Sequence, residues 1–358
     1  MSVKKIAIIS TSLDFGGAER FSGLLSIMLT DLGHEVHVII IENFVKFPFQ
    51  GKLYNLGALC NSKISFLNKL SKGFLLNKYL TENKIDTIID NRTRNVLLRD
   101  FITYYIFRKF RKIEVVHSAI LSLYFSKYKV INRFLYGKSN KIVCVSKEIE
   151  RKVNKNFNLE NTVTIYNTFL LNNNAIEIDL ELPKNYFLYF GRLEENPKNL
   201  LFLIKCFAES KVFDKNYHLL LVGDGSSKLL IQKKIDDLQL TQYIKIEPFT
   251  LQINKYILNA KATVLTSNYE GFPLSIIESL ALGTPVISVD CESGPKEIIV
   301  HNYNGLLVEK NNCVAFANAL RTFVYDNDIY KNCKFNSKPS IAHLDYTIIK
   351  NQWAAILQ

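Results

Sequence analysis

The sequence predicts an α/β protein with parallel β-sheets arranged in two domains. Short apolar segments alternate with helical stretches along the chain, which is the pattern of parallel strands joined by helical crossovers. At 358 residues the chain is long for one hydrophobic core, because a domain takes about 150 residues. An Asn-rich segment at residues 170–185, with Pro183 near its end, interrupts the alternation and indicates a linker. The expected domains are therefore residues 1–170 and 171–340, followed by a terminal helix within 341–358.

The first half opens with a strand, a loop that contains Gly16 and Gly17, and an apolar helix from Phe21 to Leu32. Later in this half, Ser146 is placed to cap a helix that begins at Lys147. The predicted strands are Lys5–Thr11, His34–Ile41, Thr87–Asp90, Glu114–His117, Lys141–Ser146 and Val163–Tyr166.

The second half repeats the alternation and ends in an amphipathic helix, His343–Leu357, which carries the only tryptophan, Trp353. Helices are expected at about residues 199–210, 227–238, 251–259, 274–282 and 313–325. The predicted strands are Tyr186–Phe190, His218–Val222, Tyr243–Ile246, Ala262–Leu265, Pro285–Val289 and Gly305–Val308. Open parallel sheets bind ligands at the carboxyl ends of their strands, so two such domains facing each other would form a cleft.

The composition fits an ordinary globular protein, with 48% hydrophobic and 22% charged residues. The six cysteines are dispersed without a C-x-x-C pair or histidine partners at metal-ligand spacing, which favours reduced thiols in a cytosolic protein. The apolar run after Lys5 is too short for a signal peptide, and no run reaches the roughly 18 residues that span a bilayer. We therefore expect a chain that is neither secreted nor membrane-spanning.

Positive charge is concentrated in the first half of the chain. The net charge is +12, and residues 1–180 hold 26 Lys and Arg against 15 Asp and Glu. Within them, Arg99–Lys112 interleaves aromatic rings with cations, which suits contact with an anionic membrane surface. A solvated helix with one buried aromatic face explains the segment equally well. Nucleic-acid binding is less favoured, because no recognised nucleic-acid motif accompanies the charge.

The segment from Glu270 to Glu278 is the strongest chemical signal. Its two carboxylates are eight residues apart and bracket a Gly-Phe-Pro turn that opens a helix. A helix start presents unpaired N–H groups and the positive end of the helix dipole, which suit a phosphate. Eight residues advance a helix by about 2.2 turns, so Glu278 lies on nearly the same face as the helix entry. The pattern suggests binding of a nucleotide-diphosphate sugar, with an ordinary surface turn as the alternative.

Two cations follow the first strand of the second half. Arg192 comes after Gly191 at the strand end, and Lys198 stands six residues later at a helix start. Fixed cations at such a junction neutralise the charge that develops on a departing diphosphate. Gly223 and Gly225 follow the next strand and permit a tight turn, which serves either structure or close ligand approach.

Taken in order, these motifs resemble the retaining glycosyltransferases of glycosyltransferase family 4, whose fold of two Rossmann-like domains facing a central cleft is called GT-B. The resemblance extends over essentially the whole chain. The matching positions are Gly16–Glu19, His117, Val145-Ser146, Gly191-Arg192, Lys198-Asn199, Gly223–Gly225, Glu270, Glu278 and Gly294–Ile299.

The resemblance implies a role for each matched residue. Arg192 and Lys198 would bind the donor diphosphate, Glu270 the transferred sugar, and Glu278 the ribose. His117 would contact the sugar or the acceptor, although a buried core histidine is an equally good interpretation. The other implied donor-binding positions are Gly16, Gly17, Gly191, Gly223, Gly271, Phe272, Pro273, Leu274 and Ser275. In this fold the last helix commonly returns to the first domain, which would make Trp353 an interdomain anchor.

Three positions depart from the family pattern. Ser293-Gly294 stands where Gly-Gly is common, Asn167-Thr168 stands where Asn-Gly is common, and no Phe-Leu-Gly turn follows Glu247. The third departure leaves recognition of the base open. The one D-x-D sequence, Asp326–Asp328, is not among the matched positions, and the resemblance implies no metal and no other cofactor.

The resulting hypothesis is a retaining hexosyltransferase. It would move a hexose or N-acetylhexosamine from a nucleotide-diphosphate sugar, most often a UDP-sugar, to a lipid-linked or saccharide acceptor bound by the basic first domain. No carboxylate is an obvious nucleophile opposite Glu270, so attack on the face from which the diphosphate leaves is favoured. The setting would be surface polysaccharide or glycolipid assembly, such as lipopolysaccharide or capsule, at the cytoplasmic face of the cell membrane. A nucleotide-sugar epimerase of the same fold and a non-catalytic nucleotide-sugar-binding protein are the alternatives; a nicotinamide oxidoreductase is disfavoured, because no G-x-G-x-x-G follows the first strand.

Overall fold

The computed structural model describes residues 2–14, 16–60, 65–94, 96–170 and 182–358. Most of the predicted linker, residues 171–181, lies outside the described residues. The chain divides into two compact units, which we call the first and second unit. The first comprises Met1–Asn167 together with Tyr346–Gln358, and the second comprises Thr168–Asp345.

The first unit contains one parallel sheet with the strand order β3-β2-β1-β4-β5-β6-β7. Its strands are β1 (Lys5–Ser10), β2 (Glu35–Ile40), β3 (Lys52–Asn55), β4 (Thr87–Asp90), β5 (Arg111–Val116), β6 (Lys141–Cys144) and β7 (Thr162–Thr164). Its helices before the linker are α1 (Gly17–Asp31), α2 (Leu56–Leu59), α3 (Ser65–Glu82), α4 (Leu97–Phe107), α5 (Lys129–Tyr136) and α6 (Lys147–Phe157). As predicted, Ser146 caps α6 by accepting a hydrogen bond from the Ile149 N–H at 3.2 Å.

The second unit contains a parallel sheet with the order β10-β9-β8-β11-β12-β13. Its strands are β8 (Tyr186–Phe190), β9 (His218–Val222), β10 (Ile244–Glu247), β11 (Ala262–Leu265), β12 (Val286–Asp290) and β13 (Gly305–Glu309). Its helices are α7 (Glu195–Lys198), α8 (Leu200–Ser210), α9 (Lys228–Asp237), α10 (Ile253–Asn259), α11 (Leu274–Ala281), α12 (Pro295–Ile298), α13 (Cys313–Tyr325) and α14 (Asn327–Ser340).

In both sheets all strands are parallel, and the order in which they are added reverses between the first and fourth strands of the unit. In the first unit β1 pairs with both β2 and β4, and in the second β8 pairs with both β9 and β11. Successive connections run outward from this point on opposite sides, which leaves a crevice at the carboxyl ends of the central pair. The predicted fold class of two α/β parallel-sheet domains is confirmed.

Several elements were not predicted from the sequence, and for β3 and α14 the physical reason is clear. β3 is an edge strand whose residues are exposed or half-buried, so it lacks the apolar run of a central strand. α14 is a mostly polar surface helix that ends beside Pro339, and it buries only Cys333 and Ser337. Neither element has the periodic apolar pattern from which the predicted strands and helices were identified.

The last helix, α15 (Tyr346–Leu357), packs in the first unit, as predicted for the chain's return to its first domain. The Trp353 side chain is fully buried, and its ring lies 6.0 Å from that of Phe21 in α1. Arg111 of β5 donates hydrogen bonds to the carbonyl oxygens of Ile356 and Leu357 at 2.7 and 3.0 Å. Trp353 therefore anchors the helix within one unit rather than between two.

The segment Arg99–Lys112 does not form the single helix with a buried aromatic face that was one of its two interpretations. α4 ends at Phe107, and Lys112 lies buried in β5 with its Nζ 3.3 Å from a carboxylate oxygen of Glu114. Phe107 is buried, whereas Phe101 and Tyr105 are 41% and 63% exposed. The aromatic residues of the segment are therefore divided, with Phe101 and Tyr105 exposed, Phe107 buried, and Tyr104 and Phe110 half-buried.

All six cysteines are free thiols, and all except the half-buried Cys313 are buried. Burial raises the pKa of Cys291 to about 12, so this thiol stays protonated at neutral pH. Within the described ranges, no helix has both the length and the apolarity to cross a bilayer.

Candidate active site

The candidate site of the second unit lies where the strand order of its sheet reverses, between β8 and β11. β8 and β11 are neighbours, with Phe187 opposite Ala262 and Leu188 opposite Thr263. The segments that follow these strands therefore leave the same edge of the sheet. They carry Gly191 and Arg192 after β8, and Glu270 after β11. The topology thus places at one edge of the sheet two segments whose residues Arg192 and Glu270 are 78 positions apart in sequence.

Lys198 and Glu270 are in direct contact. The Lys198 Nζ lies 2.6 Å from the Glu270 Oε1, and the two side chains are 17% and 13% exposed. Such partly shielded opposite charges attract more strongly than a fully solvated pair. The structure therefore joins the cation assigned to the diphosphate and the carboxylate assigned to the sugar.

Backbone contacts hold this pair in place. The Asn268 N–H donates to the Pro197 carbonyl at 2.8 Å, and the Thr266 hydroxyl lies 3.1 Å from the carbonyl oxygens of both Lys198 and Asn199. On the other side of Glu270, the Glu270 N–H donates to the Glu292 carbonyl at 3.4 Å. The position of each charged side chain is thus set by the neighbouring loop.

Arg192 lies on the exposed surface of the β8–α7 loop. Its carbonyl oxygen accepts a hydrogen bond from the buried Tyr189 hydroxyl at 2.7 Å, which fixes the backbone beneath the guanidinium group. Burial, with the negative charge of Glu270, raises the pKa of Tyr189 well above its usual value. Tyr189 is therefore a neutral hydrogen-bond donor that supports the loop.

The loop after β9 also supports the Arg192 loop. A β-carbon placed on Gly223 would lie 1.9 Å from the Gly191 carbonyl oxygen, and one on Gly225 would lie 2.4 Å from that of Leu193. Backbone hydrogen bonds join Leu193 to Asp224 and Ser227 to Leu193 at 2.8 and 3.1 Å. Of the two interpretations left open for Gly223, close packing of one loop on another is the one for which the structure provides contacts.

Glu194 and Ser226 strengthen the same junction. The Glu194 carboxylate accepts hydrogen bonds from the Ser226 N–H at 2.8 Å and from its hydroxyl at 2.7 Å. These two bonds lower the pKa of Glu194. The sequence analysis missed this pair, because nothing in the spacing of the two residues indicates that their loops meet.

The turn that opens α11 packs against the loop that contains Ser293 and Gly294. The Ser293 hydroxyl donates to the Gly271 carbonyl at 2.9 Å, and a β-carbon on Gly294 would lie 2.6 Å from the Cδ of Pro273. Ser293 has a φ of +68°, in the left-handed region that favours glycine. At this departure from the Gly-Gly pattern, serine thus adopts a glycine-like conformation.

α11 begins at Leu274, directly after this turn, as predicted. Its first turn, which includes Ser275, has N–H groups without partners inside the helix, because an α-helix cannot satisfy its first donors. Phe272 and Glu278 are buried, at 4% and 6% exposure. The second implied carboxylate therefore lies inside the helix that starts at the site, one turn or more from its entry.

The corresponding crevice of the first unit contains neutral polar groups. His117 follows β5 and Asn91 follows β4, with the His117 Nε2 3.2 Å from the Asn91 Oδ1. The Asn91 Nδ2 in turn donates to the Ser22 hydroxyl at 3.0 Å. Burial, assisted by the positive charge of Arg94, lowers the pKa of His117 to about 3. The ring is therefore neutral at physiological pH, with its proton on Nε2 and an acceptor at Nδ1.

Gly16 and Gly17 lie at the N-terminus of α1, above the end of β1. The Gly16 N–H donates a hydrogen bond to the Asp14 carbonyl at 2.7 Å. A β-carbon built on Gly17 would meet no atom of the described residues within 4 Å. Packing therefore does not require glycine at position 17, which leaves ligand approach as an explanation.

Charged groups lie beneath this crevice, and they are paired. Arg92 forms two hydrogen bonds to the buried Asp90 carboxylate, both at 2.8 Å, and the Arg94 Nη1 lies 3.0 Å from the Glu114 Oε2. Burial acts to raise the pKa of Asp90, but Arg92 outweighs it and lowers that pKa below its usual value. The sequence analysis did not find these pairs. In the part of the chain that the structure describes, no group of three or more His, Cys, Asp or Glu side chains is placed to hold a metal.

Comparison with known proteins shows which class of enzyme the chain resembles. Residues 173–339 match the family model described as "Glycosyl transferases group 1", and this range contains Arg192, Lys198, Glu270 and Glu278. The chain is a glycosyltransferase.

Curated relatives extend the similarity to nearly the full length of this glycosyltransferase. It is 28% identical over 353 residues to the N-acetylgalactosamine-N,N'-diacetylbacillosaminyl-diphospho-undecaprenol 4-alpha-N-acetylgalactosaminyltransferase of Campylobacter jejuni, covering 94% of each chain. It is 23% identical over 361 residues to the amylovoran biosynthesis glycosyltransferase AmsD of Erwinia amylovora, covering 99% of each chain.

Among solved structures, the glycosyltransferase resembles a TarM mutant from S. aureus in complex with fondaparinux, alpha-GlcNAc-glycerol and UDP. The TM-score is 0.81 at 16% identity, with 99% of this chain and 100% of the other covered. This likeness shows that the fold is GT-B.

Proposed function

We propose that this glycosyltransferase moves a hexose or N-acetylhexosamine from a UDP-sugar to a lipid-linked or saccharide acceptor, with retention of anomeric configuration. The observation that carries the proposal is the contact between Lys198 and Glu270 at the point where the strand order of the second sheet reverses, with Arg192 on the loop that precedes Lys198. It combines a cation for a diphosphate with a carboxylate for sugar hydroxyls.

The second unit binds the donor in this proposal. Lys198 and the exposed Arg192 neutralise the diphosphate, and the N-terminus of α11 adds backbone donors. Glu278 binds the ribose hydroxyls, and Glu270 accepts hydrogen bonds from the sugar. The uridine base is supported by the UDP in the TarM complex, whose fold this chain shares.

The reaction then proceeds on one face of the sugar. The bond from the anomeric carbon to the diphosphate oxygen breaks, and the acceptor hydroxyl forms the new bond on the same face. The hydroxyl proton passes to the departing diphosphate. Arg192, Lys198 and the α11 N-terminus stabilise the negative charge that grows on the leaving group. No metal or other cofactor is required, because these groups supply the positive charge.

The first unit binds the acceptor. Its crevice presents the neutral His117, whose Nδ1 accepts a hydrogen bond from a sugar hydroxyl while Asn91 holds Nε2. The relative from C. jejuni is named for a diphospho-undecaprenol substrate, which supports a lipid-linked acceptor. Reaction at the cytoplasmic face of the cell membrane, in polysaccharide or glycolipid assembly, follows from such an acceptor.

A donor screen tests the proposal. Nucleotide sugars are added to the full chain and the thermal unfolding midpoint is recorded; a ligand at 100 times its Kd adds about 2.7 kcal/mol of stability. A UDP-sugar should raise the midpoint of the wild type. The Glu270→Ala and Lys198→Ala variants should stay folded and lose transfer, while Lys205→Ala, an exposed cation on α8, should retain it.

The same assay separates the alternatives. Release of an altered free sugar without an acceptor would favour an epimerase. Donor binding without transfer or hydrolysis would favour a binding protein. Full turnover by both site variants would contradict the assignment of Lys198 and Glu270.

A further inference from the structure

Helix α4 has an inverted distribution of side chains. Leu98, Phe101, Ile102 and Tyr105 follow the i, i+3, i+4, i+7 spacing that normally faces a core, and they are 67%, 41%, 40% and 63% exposed. The same helix buries the carboxyl group of Asp100. An apolar stripe on the outside of a helix is not explained by folding of the unit itself.

Helix α5 continues this apolar stripe. Val130 and Phe134, four residues apart, are 80% and 54% exposed. The Phe134 ring lies 4.9 Å from that of Tyr104 and 6.1 Å from that of Phe101, so the two helices form one continuous face. We call it the α4–α5 surface; its apolar residues are Leu98, Phe101, Ile102, Tyr105, Val130 and Phe134.

The charge around this surface has a single sign. Between residues 96 and 140 the only acidic residues are Asp100 and Glu114, and both are buried. The Arg108 guanidinium lies 4.0 Å from the Tyr105 ring centroid, and the Lys127 Nζ lies 5.0 Å from that of Tyr128. The exposed cations of this stretch are Arg99, Arg108, Lys109, Lys127, Lys129, Arg133 and Lys138.

We propose that the α4–α5 surface docks the first unit onto an anionic lipid bilayer. Apolar and aromatic side chains enter the headgroup region, and the surrounding Lys and Arg side chains contact anionic lipids. A second copy of the chain is a poorer occupant, because two copies of this surface would bring cations of like sign together. The proposal extends the proposed function by giving the enzyme a means to reach an acceptor held in a membrane.

Vesicle co-sedimentation of the full chain tests the docking. One set of vesicles contains phosphatidylcholine alone, and the other contains phosphatidylcholine mixed with phosphatidylglycerol. We expect sedimentation only with the anionic set, weakening as salt rises from about 0.1 M to about 1 M and the Debye length falls from about 10 Å to about 3 Å. Absence of binding to the anionic vesicles would overturn the proposal.

Paired variants locate the contact. Leu98→Gln/Val130→Gln removes apolar area that the bilayer would cover, and Lys127→Glu/Lys129→Glu reverses charge that would face the lipid headgroups. Each double variant should weaken vesicle binding by about tenfold or more. The controls Leu229→Gln/Val314→Gln and Lys233→Glu/Lys331→Glu change exposed residues of the second unit and should bind as the wild type does. Equal binding by surface and control variants would overturn the assignment.

Two further readouts keep this proposal separate from the proposed function. The surface variants should keep the UDP-sugar thermal shift and transfer to a water-soluble acceptor, so loss of vesicle binding alone leaves the enzymatic assignment intact. Size-exclusion chromatography tests the other occupant. A dimer that Leu98→Gln/Val130→Gln dissociates would overturn the proposal by assigning the face to a second copy.

Discussion

The two units share one sheet topology but place different chemistry at the point where the strand order reverses. In the second unit, Lys198 and Glu270 form a partly exposed ion pair at the strand ends. In the first unit the same location holds the neutral chain of His117, Asn91 and Ser22, while the charges of Arg92 and Arg94 are paired below it. The shared strand order thus places the two candidate sites, and the loop residues give them different chemistry.

The difference follows from what each unit binds in the proposed function. A diphosphate requires positive charge at the surface of the site, whereas a saccharide hydroxyl requires donors and acceptors without net charge. Pairing of charge in the first unit removes competing cations from its crevice. The experiments below test whether charge is structural in one unit and functional in the other.

The largest effect on stability is expected from Arg94→Ala. Arg94 and Glu114 are 4% and 3% exposed, and removing one member of such a buried pair costs about 3–5 kcal/mol of unfolding free energy. Urea denaturation followed by circular dichroism measures it. Arg108→Ala, which removes an exposed cation on the same unit, is the control. A loss below about 1 kcal/mol, the usual value of a surface pair, would show that the first unit's charge is not structural.

Lys198→Ala should give the opposite result. Transfer should fall about 10²- to 10³-fold, the usual cost of removing one group that stabilises a developing negative charge. The unfolding free energy should change by only about 1 kcal/mol, because the pair retains access to solvent. Steady-state kinetics and urea denaturation on the same preparation check both values. A large loss of stability with unchanged transfer would reverse the comparison.

The glycines near the two sites should also differ. Gly223→Ala forces a β-carbon toward the Gly191 carbonyl and should cost about 1–3 kcal/mol of stability, because the opposing backbone cannot move aside. Gly17→Ala meets open space in the first turn of α1 and should leave stability unchanged or raise it by up to about 1 kcal/mol. Thermal unfolding distinguishes them, and equal losses would contradict the separation of packing from ligand approach.

The last comparison concerns pH. The pKa of His117 is about 3 in the folded state and 6.5 in its reference state, so the unfolded chain binds the extra proton first. The contribution of His117 to the free energy of unfolding is thus fully present above pH 6.5 and is lost as pH falls from 6.5 toward 3. His117→Gln should reduce the pH dependence of stability in that range. An NMR titration in which the His117 ring protonates near its usual pKa would contradict the lowered pKa.

The sequence analysis succeeded where local signals were sufficient. Central strands such as β8 and β11 are buried on both faces and therefore appear as apolar runs, and the candidate site residues lie in the segments that follow them. The contacts of Asn91 with His117 and of Glu194 with Ser226 join loops that are distant in sequence, so no local pattern reveals them. The sequence also could not decide whether the apolar face of α4 is exposed or buried, because the spacing of Leu98, Phe101 and Tyr105 is the same in both cases.

The position of α15 bears on how the protein is made. The first unit is discontinuous in sequence, because Tyr346–Gln358 completes it after the whole second unit has been synthesised. Until then the surface of Phe21 that receives Trp353 has no cover, and on a ribosome adding about 5–20 residues per second it waits for some 180 residues to be added. A chain that terminates early therefore lacks a finished first unit, even when its donor-binding unit is complete. Completion of the first unit is thus coupled to synthesis of the residues that follow the second unit.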